Sequence, residues 1–135
     1  MAKRTEAYVD TSALIAFLDT SDSYHSLFRR LFSNPPALVT TMLVIAEGHA
    51  WFLKRFDRHR ALQFLAMVEA VPLTLAPLGP ADHTSAVAIV RRFSDQDLTL
   101  VDAMGLSLMD TRRSAVCWST DFHLGLTGVP LVIHQ

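Results

Sequence analysis

The stretch "EAYVDTSALIAFLD", residues 6–19, decides the fold of this chain. Residues 7–9 are typical of a short buried strand, and residues 12–18 carry an apolar face that is typical of a helix. Asp10 stands at the junction, where its carboxylate can be solvated, cap the helix, pair with a charge or bind a metal. From this stretch alone, a helix cap and a functional carboxylate are both open interpretations.

Composition limits the class of protein. The 135 residues are enough for one compact domain with a full core, and we expect residues 1–135 to form it. Hydrophobic residues make up 50% of the chain, but no apolar run approaches the roughly 18 residues that a membrane-spanning helix needs. Glu6 and Asp10 interrupt the segment after the basic start, which argues against a secretory signal. Because Cys117 is the single cysteine, we expect it to lie in the core of a cytoplasmic protein.

Strand-like runs alternate with helical runs along the chain. The strand-like runs are residues 8–10, 37–40, 73–76, 115–119 and 130–134. The helical runs are residues 12–18, 23–32, 42–56, 58–70, 81–93 and 101–113. This alternation predicts an α/β fold, a three-layer α/β/α sandwich around a central, mainly parallel sheet of four to five strands. In open sheets of this class, ligands bind beyond the carboxyl ends of the strands.

Four acids stand out against apolar surroundings. Asp10 and Asp121 each follow a predicted strand, so we expect both at the carboxyl edge of the sheet. Glu47 lies on a predicted helix with no Lys or Arg three or four residues away, and a carboxylate on an apolar face is costly without a compensating partner. Asp102 has no basic residue within a turn either, although it can also be a first-turn acid that the helix dipole favours.

Such a group of carboxylates would repel itself unless protons or cations were bound. Because the candidate ligand atoms are oxygens, they indicate a hard divalent ion, Mg²⁺ or Mn²⁺, rather than zinc. The six histidines include no close-spaced ligand pair, and we interpret them as mostly surface or core residues.

The basic residues point to a restricted role in binding nucleic acid. A formal net charge of −1 argues against a strongly basic, non-specific binder. Ten of the twelve basic side chains are arginine, whose guanidinium can bind two phosphate oxygens at once. Their clusters lie at positions 29–30, 54–60, 91–92 and 112–113. Each cluster is either the solvated end of a helix or a contact for a phosphate backbone.

Four segments, each containing one of the four acids, follow one another along the chain: "YVDTSALIAFLD", "TMLVIAEG", "DQDLTLVDAMGLSLM" and "WSTDFHLGLTGV". In this order they resemble the PIN domain, and most closely the VapC-like toxin ribonucleases of bacterial and archaeal toxin–antitoxin pairs. The resemblance covers essentially the whole chain. It implies a metal-dependent endoribonuclease that cuts single-stranded or looped RNA, forms a homodimer and binds a VapB-like antitoxin.

The resemblance also assigns roles to particular residues. The family's four acidic positions fall on Asp10, Glu47, Asp102 and Asp121. These acids would coordinate one or two Mg²⁺ or Mn²⁺ ions and position a water for attack on a phosphodiester. Asp97, or else Asp95, resembles an accessory acid upstream of the third motif. Hydroxyl groups that would orient the carboxylates belong to Ser12, Ser119 and Thr120.

One departure and three alternatives accompany this interpretation. Leu124 stands where the family often has Phe, with Phe122 beside the fourth acid instead. An Asp-nucleophile phosphatase would need a second acid at the place of Ser12. A PIN nuclease in RNA processing or DNA repair would use the same acids, and an inactive PIN binding module would have lost some of them. The apolar residues in 43–56 and 62–68 can serve either as contact surfaces or as core.

Overall fold

A computed structural model of the protein describes residues 6–135, so the basic start of the chain lies outside the described residues. The strands are β1 (Ala7–Val9), β2 (Leu38–Thr40), β3 (Leu73–Leu75) and β4 (Val116–Trp118). The helices are α1 (Thr11–Leu18), α2 (His25–Ser33), α3 (Met42–Arg55), α4 (Arg58–Ala70), α5 (Pro80–Arg92) and α6 (Leu100–Arg112). Two short 3₁₀ turns follow β4, at Phe122–Gly125 and Val132–His134.

The sheet is parallel throughout and has the order β3-β2-β1-β4. Helices α1 to α4 pack among themselves, and α5 packs on α6. All three residues of β1 are buried, as expected for a central strand that is covered on both faces. The α/β/α sandwich predicted from the sequence is therefore confirmed, with β1 and β4 as neighbours.

The prediction of a fifth strand at residues 130–134 is wrong. Only Leu131 pairs with β4, as a single parallel bridge to Cys117, and the chain then enters a 3₁₀ turn. Pro130 has no N–H to donate to a ladder, although its carbonyl accepts a 2.9 Å hydrogen bond from the Cys117 N–H. Leu131 and Val132 are nevertheless buried, so the apolar residues of this segment belong to the core although they form no strand.

Close packing holds α6 against β1. A Cβ added to Gly105 would lie 2.9 Å from atoms of the Tyr8 ring, closer than ordinary van der Waals contact. Glycine at this position therefore lets the helix approach the strand. The approach matters for the site, since α6 carries Asp102 one turn before Gly105 and β1 leads into Asp10.

Two expectations from composition can be compared with the structure. Cys117 is fully buried, as expected for a core residue. Among the helices of residues 6–135, none is both long and apolar enough to cross a membrane.

Leu124, at the position where the sequence departs from the family pattern, is fully buried, whereas Phe122 is 62% exposed.

Candidate metal centre

The site begins where β1 and β4 end side by side. Val9 pairs with Trp118, and the Asp10 N–H donates a 3.0 Å hydrogen bond to the Trp118 carbonyl. The chain leaves both strands at this edge, so residues that are more than one hundred positions apart in the sequence meet here. This is the carboxyl edge at which ligands bind in open parallel sheets.

Asp10 is held by two serine hydroxyls rather than used as a helix cap. Its Oδ2 accepts hydrogen bonds from Ser119 Oγ at 2.8 Å and from Ser12 Oγ at 3.0 Å. Although Asp10 occupies the N-cap position of α1, its side chain makes no capping hydrogen bond. The side chain is aimed into the site and is buried there, with Asp10 only 4% exposed.

The loop after β4 fixes the direction of these hydroxyls. The Thr120 N–H donates to Ser12 Oγ and the Asp121 N–H donates to Ser119 Oγ, each at 3.0 Å. Each hydroxyl oxygen accepts from the backbone and keeps its own proton to donate, and the two hydroxyl oxygens also lie 3.1 Å from each other. Thr120 thus contributes its backbone N–H to this network, where the sequence had suggested its hydroxyl.

Asp102 serves the helix and the site at once. With Thr99 it forms a capping box at the start of α6: the Asp102 N–H donates to Thr99 Oγ1 at 3.1 Å, and Asp102 Oδ2 accepts from the Thr99 N–H at 3.3 Å. The capping role suggested by the sequence is therefore present. It does not exclude a second role, because Asp102 also faces Asp121 and His123, whose ligand atoms lie with its own within 4.8 Å of one another.

His123 is the site residue that sequence reasoning missed. Its Nδ1 lies 3.0 Å from Asp121 Oδ1, and the same oxygen accepts a 3.0 Å hydrogen bond from the His123 N–H. The interpretation of the histidines as mostly surface or core residues did not single out this one. A signal was present, since an acid that starts a 3₁₀ turn brings the residue two positions later back beside it.

Crowding and burial change the protonation of these acids. Burial, together with the smaller effect of the Asp102 charge, raises the pKa of Asp10 to about 6, against the opposing effect of the hydrogen bonds from the two serine hydroxyls. The pKa of Asp102 is also raised, first by burial and then by the charge of Asp121, while hydrogen bonds from Thr99 oppose the shift. Among residues 6–135, no Lys or Arg forms an ion pair with any of the three acids.

The remaining predicted site residues lie outside this cluster. Glu47 is exposed on α3, so the expectation that an apolar helix face desolvates it is wrong. Asp95 and Asp97 are both exposed in the loop between α5 and α6. Neither belongs to the group of ligand atoms formed by Asp102, Asp121 and His123. Asp10 is not in this group either, but the charge of Asp102 acts on it and raises its pKa.

The donor atoms of the cluster suit a hard divalent cation. Carboxylate oxygens of Asp102 and Asp121 lie close together, and the pKa values of Asp10 and Asp102 are raised because burial disfavours their charged forms more than their hydrogen bonds favour them. A cation would stabilise the charged forms, and oxygen ligands favour Mg²⁺ or Mn²⁺. His123 adds an imidazole beside these oxygens, and the expectation of oxygen ligands stays a prediction. The His123 Nδ1 is directed at Asp121, an arrangement that orients this carboxylate.

The raised pKa of Asp10 predicts how stability depends on pH without metal. The folded protein holds this proton up to about pH 6, whereas the unfolded chain loses it near pH 3.8. The free energy of unfolding therefore falls as pH rises through this window, by on the order of 3 kcal/mol for a shift of about two units. Asp10→Asn should remove that loss, and the variant should be at least as stable as the wild type at about pH 7.5.

Urea denaturation in EDTA at about pH 4 and pH 7.5 measures this effect. The stability difference between Asp10→Asn and the wild type should be larger at the higher pH. A variant that is markedly less stable than the wild type at both values would show that Asp10 is a structural carboxylate.

The sequence matches the family model of the PIN domain over residues 7–125. It is 29% identical over 114 residues to ribonuclease VapC26 of Mycobacterium tuberculosis, in an alignment that covers 84% of each chain.

Two solved structures share the fold. The crystal structure of Mycobacterium tuberculosis VapC20, a toxin that cleaves the sarcin–ricin loop, has a TM-score of 0.85 at 20% identity, covering 93% of this chain and 98% of that one. A toxin–antitoxin complex from Klebsiella pneumoniae has a TM-score of 0.65 at 18% identity, covering 92% of each chain. Because the family model spans all four strands and the acids that gather at their carboxyl edge, the chain belongs to the PIN domain family.

Proposed function

We propose that this protein is a Mg²⁺- or Mn²⁺-dependent endoribonuclease of the VapC type, a single PIN domain over residues 1–135 that cuts single-stranded or looped RNA. The convergence of Asp10, Asp102 and Asp121 at the carboxyl edge of the sheet is the observation that carries the proposal. Membership of the PIN family supports it, as does the similarity to a protein named as a ribonuclease.

The acids would hold one or two divalent ions between them. The proposed ligands are Asp10, Asp102, Asp121 and Glu47, with Asp97 or Asp95 as an accessory acid. A bound ion would neutralise the carboxylates, lower the pKa of a bound water and stabilise negative charge on a phosphate. Ser12 and Ser119 would keep the Asp10 carboxylate aimed at the ion, and the loop N–H groups would keep the hydroxyls in place.

His123 would position Asp121 rather than take part in the reaction. Its imidazole lies beside Asp121 Oδ1 and is half-buried, so it restrains the rotation of this carboxylate. The phosphatase alternative loses support at the same site: Ser12 stands where a second acid would be needed, and its hydroxyl donates to Asp10.

Single-stranded or looped RNA is the preferred substrate class. The scissile phosphate must reach acids that lie beside the sheet edge, and a single strand can enter such a cleft with its bases turned outward. Exposed arginines at the end of α3 and the start of α4 are available to neutralise the backbone.

Cleavage of defined RNAs with and without Mg²⁺ tests the proposal. Asp10→Asn and Asp102→Asn should each reduce kcat by about 10³-fold, since each removes a charge that would bind the metal and so stabilise the transition state. Asp110→Asn is the matched control, because Asp110 is an exposed acid on the same helix as Asp102. Equal activity in all variants, or cleavage that continues in EDTA, would contradict the proposed site. Preference for DNA would favour the repair nuclease instead.

A separate measurement tests Glu47 as a ligand. If it binds the metal, Mg²⁺ should raise the Tm of the wild type more than that of Glu47→Gln, because a ligand that binds only the folded state stabilises it. Glu69→Gln on α4 is the control, since Glu69 is also an exposed helical glutamate. An identical Mg²⁺ response in wild type and Glu47→Gln would remove Glu47 from the ligand set.

We further propose that the protein is a cytoplasmic toxin that forms a homodimer and is inhibited by a VapB-like antitoxin. The structural similarity to a chain of a toxin–antitoxin complex supports a partner of this kind. Asp10 and Asp102 have no basic partner in the part of the chain that the structure describes. An arginine of an antitoxin could therefore pair with them and block the approach of a metal.

Growth of the host tests this role. Expression of the wild type alone should stop growth, whereas Asp10→Asn at a matched protein level should not. Co-expression of a small partner encoded beside the gene should restore growth. Equal growth with wild type and Asp10→Asn would instead indicate a housekeeping or inactive PIN protein.

A further inference from the structure

A compact basic surface lies at the tip of the hairpin formed by α3 and α4. We define the hairpin tip as residues 54–60. Its basic residues are Lys54, Arg55, Arg58 and Arg60, and its single acid is Asp57. The Asp57 carboxylate is occupied in capping α4, where Oδ1 accepts a 2.9 Å hydrogen bond from the Arg60 N–H. The hairpin tip is therefore strongly positive on a chain whose net charge is −1.

Two of these arginines lie over aromatic rings. The Arg55 guanidinium carbon is 5.6 Å from the centroid of Trp51, and that of Arg60 is 4.9 Å from the centroid of Phe56. Phe56 is itself stacked on the buried ring of Phe52, with centroids 6.0 Å apart and planes tilted by 22°. Such cation–π contacts restrict the positions of the guanidinium groups. Arg55 is exposed and Arg60 is half-buried.

Stacking leaves the side-chain N–H groups of both arginines available. Across residues 6–135, neither guanidinium makes a hydrogen bond or an ion pair. Arg112 differs, because it donates two 2.8 Å hydrogen bonds to the Glu6 carboxylate. Arg112 therefore does not serve as the backbone contact that its cluster had suggested, whereas Arg55 and Arg60 are oriented and still have free donors.

A third stacked arginine has a less favourable setting. Arg92 lies 4.9 Å from the ring centroid of Phe93, but Asp95 and Asp97 follow it closely. It also lines a cavity of about 610 Å³ that includes Asp110 on its wall. These acids oppose the approach of a phosphate backbone, so the hairpin tip is the stronger candidate.

Glu47, a proposed metal ligand, lies on the same helix, α3, as the beginning of the hairpin tip. Glu47, Trp51 and Arg55 are spaced four residues apart, so their side chains follow one stripe of the helix. The stripe is about 12 Å long from Glu47 to Arg55 at the usual rise of an α-helix. A strand bound at Glu47 could therefore continue along this stripe toward the hairpin tip.

We infer that the hairpin tip is a second RNA-binding surface, at which Arg55 and Arg60 bind the backbone of a single strand whose scissile phosphate lies at the metal centre. The inference rests on the proposed ribonuclease function. The outward guanidinium edges would bind phosphates and their outer faces would stack on bases. The tip is unsuited to a symmetric dimer contact, since a twofold axis there would bring like charges together.

RNA binding by an inactive parent tests the inference directly. The parent is Asp10→Asn, and the probe is a labelled single-stranded RNA of about 12 nucleotides, within the site sizes of single-strand binding proteins. Adding Arg55→Ala and Arg60→Ala should raise Kd at least tenfold. It should also lower the salt dependence of log K by about 1.4, since each phosphate contact on a single strand contributes about 0.7.

Matched variants separate location and geometry from charge. Arg29→Ala with Arg30→Ala removes two exposed arginines from α2, and its Kd should stay close to that of the parent. Arg55→Lys with Arg60→Lys should keep the salt dependence but lose affinity, because lysine keeps the charge without the planar stack. Equal losses in the two alanine pairs, no loss at the hairpin tip, or an altered oligomeric state of the tip variant would overturn the inference.

Cleavage by the otherwise wild-type protein distinguishes this inference from the proposed function. The tip variant should lose kcat/KM on the longer RNA and keep it on a dinucleotide, which is too short to reach the tip. A loss on both substrates would show that the arginines act through the fold, against the inference. If the wild type cleaves neither RNA with Mg²⁺ or Mn²⁺, the proposed function fails, and the binding series still decides the role of the hairpin tip.

Discussion

The parallel pairing of β1 with β4 is the constraint on which the candidate site depends. It brings Ser119 to Asp10 across 109 positions of sequence, and the resulting hydrogen bond is 2.8 Å long. The loop after β4 then holds the serine hydroxyls through its own N–H groups. Sheet register, rather than the local propensity of α1, therefore aims the Asp10 carboxylate.

The residues just before and just after strand β1 interact with α6. An ion pair forms at one end of the strand, and acidic side chains lie near each other at the other end. Glu6, just before β1, makes a two-pronged ion pair with Arg112 at the end of α6, which raises the pKa of that guanidinium. At the opposite end, burial and the charge of a neighbouring carboxylate raise the pKa of Asp10 and of Asp102. The tight contact of Tyr8 with Gly105 lies between the two ends. The fold thus uses packing and a remote ion pair to hold acids together that would separate in water, as active sites often require.

The arginines occur in similar clusters along the sequence, but they have different contacts in the structure. Arg112 is committed to Glu6, whereas Arg55 and Arg60 rest on aromatic rings with their donors unoccupied. A pair of adjacent arginines in a sequence does not reveal which of these applies, because the partner comes from another part of the chain. The net charge of the chain is −1, but its charges are segregated: acids gather at the edge of the sheet, and basic residues gather at the tip of the α3–α4 hairpin.

The sequence by itself determined the order of strands and helices, the parallel sheet and the acids at its edge. These follow from local patterns: apolar periodicity, strand runs that end in an acid, and the breaks between them. Residues 130–134 were misjudged because an apolar run can be buried without forming a ladder, and Glu47 because the exposed side of α3 also carries apolar residues. The tertiary structure alone decided that Asp10 does not cap α1 and that Arg112 is ion-paired while Arg55 is not. Each of these depends on which atoms of distant or turning segments meet at hydrogen-bond distance, and no local pattern in the sequence fixes such distances.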